Sequence, residues 1–200
     1  MARTKRERIL ELLKCTGVLR PRDLKEIGIS GVYLNKLHAE GVLDRPSRGL
    51  YTLADTEPSE HRTIAEASKL VPHGIICLLS ALRFHDLTTQ SPFEVWLAIE
   101  EKARLPNIEY PPLRIVRFSG AALSFGVQEH DVEGVKVHVY SPAKSVADCF
   151  KYRNKIGLDV AIESLRHCYQ HRRASMDELW KAAKVCRMTK VMRPYLEAVT

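Results

Sequence analysis

The chain has 200 residues, 45% of them hydrophobic and 28% charged, with 31 Lys+Arg against 24 Asp+Glu for a formal net charge of +7. That length suits one sizeable domain or two small ones with a packed core. No apolar run approaches the ~18 residues of a membrane span, and the charged start, MARTKRERILELLK, lacks the apolar stretch of a secretory signal. The five cysteines (Cys15, Cys77, Cys149, Cys168, Cys186) are scattered without a C-x-x-C pair. Their spacing argues against zinc and fits small buried hydrophobes in a reducing, cytoplasmic setting.

The charge is uneven. Residues 1–55 carry a net +4, residues 56–140 a net −3 and residues 141–200 a net +6. Two basic ends flank an acidic middle, so two surfaces are expected to favour an anionic partner.

In chain order, Thr4 with Glu7 forms a capping box, and Ile9, Leu12 and Leu13 give a first helix over about 5–14. Gly17 closes it. Pro21 suits the first position of a second helix whose inner face holds Leu24 and Ile27, and Gly28 ends it. Ser30 caps a third helix over 31–40 with Tyr33, Leu34 and Leu37 inward. The run VLDRPSRGLYTL then reads as strand, a turn on Asp44, Pro46 and Gly49, and strand. Three short helices and a hairpin make a winged helix-turn-helix, residues 1–55, whose third helix docks in the DNA major groove.

On that reading Val32, Asn35, Lys36 and Ala39 point outward. Asn35 is placed to pair with adenine and Lys36 with guanine or phosphate. The amides of Gly31 and Val32, beside the Ser30 cap, can hold a phosphate at the helix start. Arg20 and Arg22 flank the second helix, and Arg45, Ser47 and Arg48 on the wing suit phosphates or the minor groove.

Glu57-Pro58-Ser59 reads as a linker to a second domain, residues 60–200. There a helix over 61–71 precedes IICLLSALRFHDL, expected as one buried helix of about twelve residues. Strand-like runs follow at 94–99, 113–118 and 135–140, with shorter ones near Val127 and Val132. From Ser141-Pro142 the period turns helical, with further helices from Gly157 and from the Ser175/Glu178 capping box. The class is therefore α+β: a winged helix-turn-helix, then a mixed domain ending in a helical half.

No nucleotide-binding, nucleophile-elbow or H-E-x-x-H motif occurs, and no cofactor or metal is expected. His167 and His171 stand one helical turn apart without a third ligand. Asp86, Glu100 and Lys102 sketch a Mg²⁺-dependent nuclease site, a match that arises readily by chance.

The run GVLRPRDLKEIGIS…YLNKLHAEGVLDRPSRGLYTL, EVWLAI and VYSPAKSVADCFKYRNKIGLDVAIESL resemble AbiEi-family antitoxins. The resemblance implies a non-enzymatic antitoxin of a bacterial type IV toxin–antitoxin pair from abortive phage defence. Its N-terminal domain would repress its own operon at promoter inverted repeats. Its C-terminal domain would counter a nucleotidyltransferase-like toxin without a stable complex. By position, Lys144, Lys151, Arg153, Lys155, Arg166, Arg172 and Arg173 would form a basic face. Lys144 with Lys151, and Arg166 with Arg173, are two helical turns apart. That face would meet operator backbone or an RNA that the toxin modifies, and Asp148 would be an internal ion-pair partner. Binding inverted repeats implies self-association on DNA. The alternatives are a stand-alone winged-helix factor with a ligand-sensing second domain, or the nuclease.

Overall fold

The computed structural model describes residues 3–55 and 61–199; the linker placed at Glu57-Pro58-Ser59 lies outside them. The chain is α+β and divides into two compact units. The first comprises residues 1–72, 107–111 and 131–137; the second comprises 73–106, 112–130 and 138–200. The first unit thus continues past residue 55 and takes two later segments of chain.

In the first unit, α1 (Lys5–Thr16) starts on the Thr4/Glu7 capping box, with both reciprocal hydrogen bonds formed. A short 3-10 helix, Asp23–Ile27, stands where an α-helix was expected. Between Pro21 and the left-handed Gly28 there is room for less than two α-helical turns, which favours the tighter winding. After it come α2 (Val32–Ala39), β1 (Leu43–Ser47) and β2 (Leu50–Leu53). The hairpin turns at Arg48-Gly49, so Asp44 and Pro46 lie within β1 rather than in the turn. Pro46 is accommodated because the register shifts between Asp44 and Ser47, where no ladder donor is needed. Leu19 forms an antiparallel bridge with Tyr51 and so adds a third chain segment to the wing. Ile9, Leu13, Leu19, Leu24, Ile29, Leu34, Leu37, Leu43 and Tyr51 form one core. The helix α3 (Arg62–Leu70) also lies in this unit.

In the second unit the stretch expected as one helix divides. Ile75–Ile76 is a strand, β3, and only Leu78–Phe84 is helical, α4. Leu78 has φ 46 at the junction, where the chain leaves the sheet within two residues. Next come β4 (Val95–Glu100), β5 (Leu113–Phe118), α5 (Ala121–Ser124), β6 (Val127–Val132) and β7 (Val135–Tyr140), the last two strands each having residues in both units. Then follow α6 (Pro142–Lys151), α7 (Arg153–Ile156), α8 (Leu158–Gln170), α9 (Met176–Val185) and α10 (Thr189–Val199).

The five-stranded sheet runs β5-β4-β3-β7-β6. β4 pairs parallel with β5 and antiparallel with β3, and β3 pairs parallel with β7. α6 packs on α4, α8 and α9 and is buried from Ala143 through Phe150. Wholly buried, Phe150 alone contributes on the order of 1.5–3 kcal/mol of apolar burial. Four cysteines are buried in this core and Cys15 is exposed in the first unit. Among the described residues no helix is long and apolar enough to cross a membrane.

Candidate nucleic-acid interface

The helix-turn-helix angle is set by small residues. Gly28, at φ 68, returns its N–H to the carbonyls of Leu24 and Lys25. At Gly31 a Cβ would come within 2.6 Å of Pro21 Cβ, so only glycine lets α2 start this close. Leu34 and Leu37 are fully buried, which turns Val32, Asn35, Lys36 and Ala39 to solvent as the spacing requires. Val32, an apolar residue 71% exposed, stands in the first turn. Lys36 lies 5.7 Å over the Tyr33 ring and 3.9 Å from Glu40, an exposed pair of little energetic weight.

Two bonds fasten α2 to the wing. His38 Nδ1 is 2.8 Å from the Leu43 carbonyl oxygen, and the Tyr51 hydroxyl donates to Asn35 Oδ1 at 2.5 Å. Arg45 stacks its guanidinium 5.7 Å over the Tyr51 ring. Arg45 and Arg48 are exposed, as is Arg22.

Three of the sequence-selected residues have different surroundings. Arg20 is mostly buried: it pairs with Asp23 at 3.4 Å and donates to the Lys69 carbonyl. Lys69 Nζ returns to Asp23 at 3.0 Å, so Arg20 ties α3 to the helix-turn-helix and is spent internally. Ser47 Oγ is buried without a hydrogen-bond partner. It borders a cleft of about 270 Å³ with Arg48, Leu70 and residues 107–110 instead of standing on the wing tip. Ser30 Oγ accepts from the Val32 amide at 3.4 Å, which engages one of the two amides assigned to a phosphate.

In the second unit the basic residues do not make one surface. Lys144 is fully buried, 2.5 Å from Asp148, with its ammonium 4.1 Å from the Tyr140 ring centroid and 4.7 Å from that of Phe118. The two-turn spacing to Lys151 does put both on one helix face, since Lys151 also lies over Phe118, at 5.4 Å. That face packs inward, however, and only its C-terminal end reaches solvent. Burial pushes the Asp148 carboxyl up, and Lys144 and the Cys186 thiol, donating at 3.2 Å, pull it back.

Lys155 sits 5.7 Å over Tyr152, and Arg153 donates to the Phe150 carbonyl at 2.9 Å. Arg166 shares an α8 face with Asp159, Ile162, Glu163, His167 and Gln170. The helix ends at Gln170, so Arg172 (φ 51) and Arg173 leave its surface; Arg173 pairs with Asp86 at 3.5 Å. Glu100 closes β4, exposed like Lys102. The His167 and His171 rings lie 5.6 Å apart. Among the described residues no three His, Cys, Asp or Glu gather as a metal site.

The helix order, the exposed face of α2 and the basic hairpin define a winged helix-turn-helix domain. Residues 7–54 match the family model described as a transcriptional regulator, AbiEi antitoxin. The full architecture is similar to the crystal structure of the Rv2827c protein from Mycobacterium tuberculosis. The TM-score is 0.64 at 12% identity, over 94% of this chain and 76% of that one, a likeness of fold. No curated protein matches the chain.

Proposed function

We propose that this protein is the antitoxin and transcriptional autorepressor of a type IV toxin–antitoxin operon in abortive phage defence. The observation that carries the reading is the α2 face. Val32, Asn35 and Lys36 stand clear of a closed core beside Arg45 and Arg48, in a domain that matches the AbiEi antitoxin regulator family. α2 enters the major groove of promoter inverted repeats, Arg45 and Arg48 take phosphates of the flanking strand, and two copies meet on one operator. The second domain counters a nucleotidyltransferase-like toxin, with Lys151, Lys155, Arg166 and Arg172 as the cations that meet an RNA or the toxin.

A gel shift of the full chain on its upstream promoter tests the first part. Mutating Asn35, Lys36, Arg45 and Arg48 together to alanine abolishes the shift, and the wild-type affinity falls with salt by about one log–log unit per phosphate contact. Sequence-specific binding retained by the quadruple variant refutes this docking. For the second part, the full chain is co-expressed with the neighbouring gene. Lys151→Glu/Lys155→Glu then loses growth rescue while repression persists.

A further inference from the structure

The outer face of α2 is constrained from below. Tyr51 is 2% exposed, and its backbone is fixed by two 2.9 Å hydrogen bonds with Leu19. Arg45 covers its ring, and His38 meets it edge-on at 6.5 Å. A phenol so enclosed has little freedom, and its hydroxyl would be costly to leave unpaired. It donates to Asn35 Oδ1 at 2.5 Å.

We infer that Tyr51 sets the chemistry α2 can read, by holding the Asn35 carbonyl inward so that the side chain faces the groove with amide hydrogens alone. This rests on the DNA-binding reading above and deepens it. Pairing with adenine through both amide atoms needs Oδ1 to accept from the base; with Oδ1 turned toward Tyr51, what Asn35 offers the groove is its amide hydrogens. Lys36 is a donor only as well. The pair therefore selects groove acceptors: purine N7, guanine O6 and thymine O4. Val32, one turn before Lys36 on the same face, offers methyl groups to the thymine C5-methyl. The ligand class is a G/T-rich half-site strand, and Tyr51 is a positioning residue that never touches it.

The probe is a randomised duplex library selected with the full chain, followed by atom-level changes in the duplex it enriches. Replacing the contacted purine by its 7-deaza analogue weakens wild-type binding about tenfold, within the 1–3 kcal/mol range of a base contact. Replacing the contacted thymine by uracil does so by a smaller factor, and Val32→Ala abolishes that second effect. Tyr51→Phe keeps the ring but frees the amide. It accepts adenine at the Asn35 position and leaves non-specific binding and its salt slope unchanged. Should Tyr51→Phe fold poorly, Asn35→Asp still decides: it keeps an acceptor for Tyr51, replaces the outward donors by oxygen, and shifts preference to cytosine. Wild-type base preferences in folded Tyr51→Phe, or no effect of 7-deaza purines, overturn the inference while the DNA reading stands. No enriched sequence and salt-insensitive binding by the wild type overturn both.

Discussion

Lys144→Met should be among the most damaging single substitutions in the second unit. It strands Asp148 in a site where both side chains have zero solvent exposure and where, among the described residues, Lys144 and the Cys186 thiol satisfy the carboxylate. Removing one partner of a buried ion pair costs about 3–5 kcal/mol, whereas replacing both by apolar groups of similar size is often neutral. The pair is also wedged between Phe118 and Tyr140, so methionine retains the ring contacts of the lysine stem. Both tryptophans, Trp96 and Trp180, belong to the second unit, so their fluorescence in urea follows that unit alone. With a slope of about 2 kcal/mol/M, the midpoint of Lys144→Met drops by roughly 1.5–2.5 M. Lys144→Met/Asp148→Leu recovers most of the loss, a coupling that a double-mutant cycle reads directly. A midpoint for Lys144→Met within about 0.3 M of wild type, as for a surface lysine, would show that Lys144 faces solvent and would restore it to an anion-binding face.

Three further outcomes follow from other sites. Burial holds the His85 imidazole below its ordinary pKa, helped by charge repulsion from His130 and Arg173 and opposed by the Tyr140 carbonyl bond and Asp86. The unfolded chain therefore takes up the proton first: the contribution is complete above about pH 6.5 and is lost as pH falls. His85→Gln, which can keep the bond to Tyr140, should flatten the urea midpoint between pH 7.5 and 5; an unchanged slope argues against it. At Gly134, with φ 73, an added Cβ would lie 1.8 Å from the Cys15 carbonyl oxygen. Gly134→Ala should cost about 1–3 kcal/mol and raise hydrogen exchange in α1, and full protection there would exclude the clash. Ser175→Ala should remove about 1 kcal/mol with its N-cap, leaving the α9 core contacts intact; a thermal melt at wild-type temperature counts against the cap.

What was readable in sequence was local. Both capping boxes, the Ser141-Pro142 helix start and the inward Leu34/Leu37 pair depend on neighbours within four residues, and each stands as spaced. Non-local choices were not readable. Lysine spacing identified one face of α6 but not that Phe118 and Tyr140, from two other strands, would cover it. Arg20 resembled a groove-facing cation because its partner carbonyl, at Lys69, is 49 positions away. Asn35 was found as a groove residue, while the hydroxyl that orients it comes from the wing, 16 positions on. The apolar run from Ile75 to Leu82 carries no periodic signal to divide strand from helix, so the break at Leu78 had no signature.

The interleaving of the two units bears on how the protein is made. Residues 131–137 complete the first unit, so a ribosome must pass residue 137 before that unit has all its parts. An N-terminal domain ordinarily folds first during synthesis; here its last pieces arrive inside the sequence of its neighbour. Nonsense mutations before that point release neither half entire. No single cut in the chain therefore separates the two units.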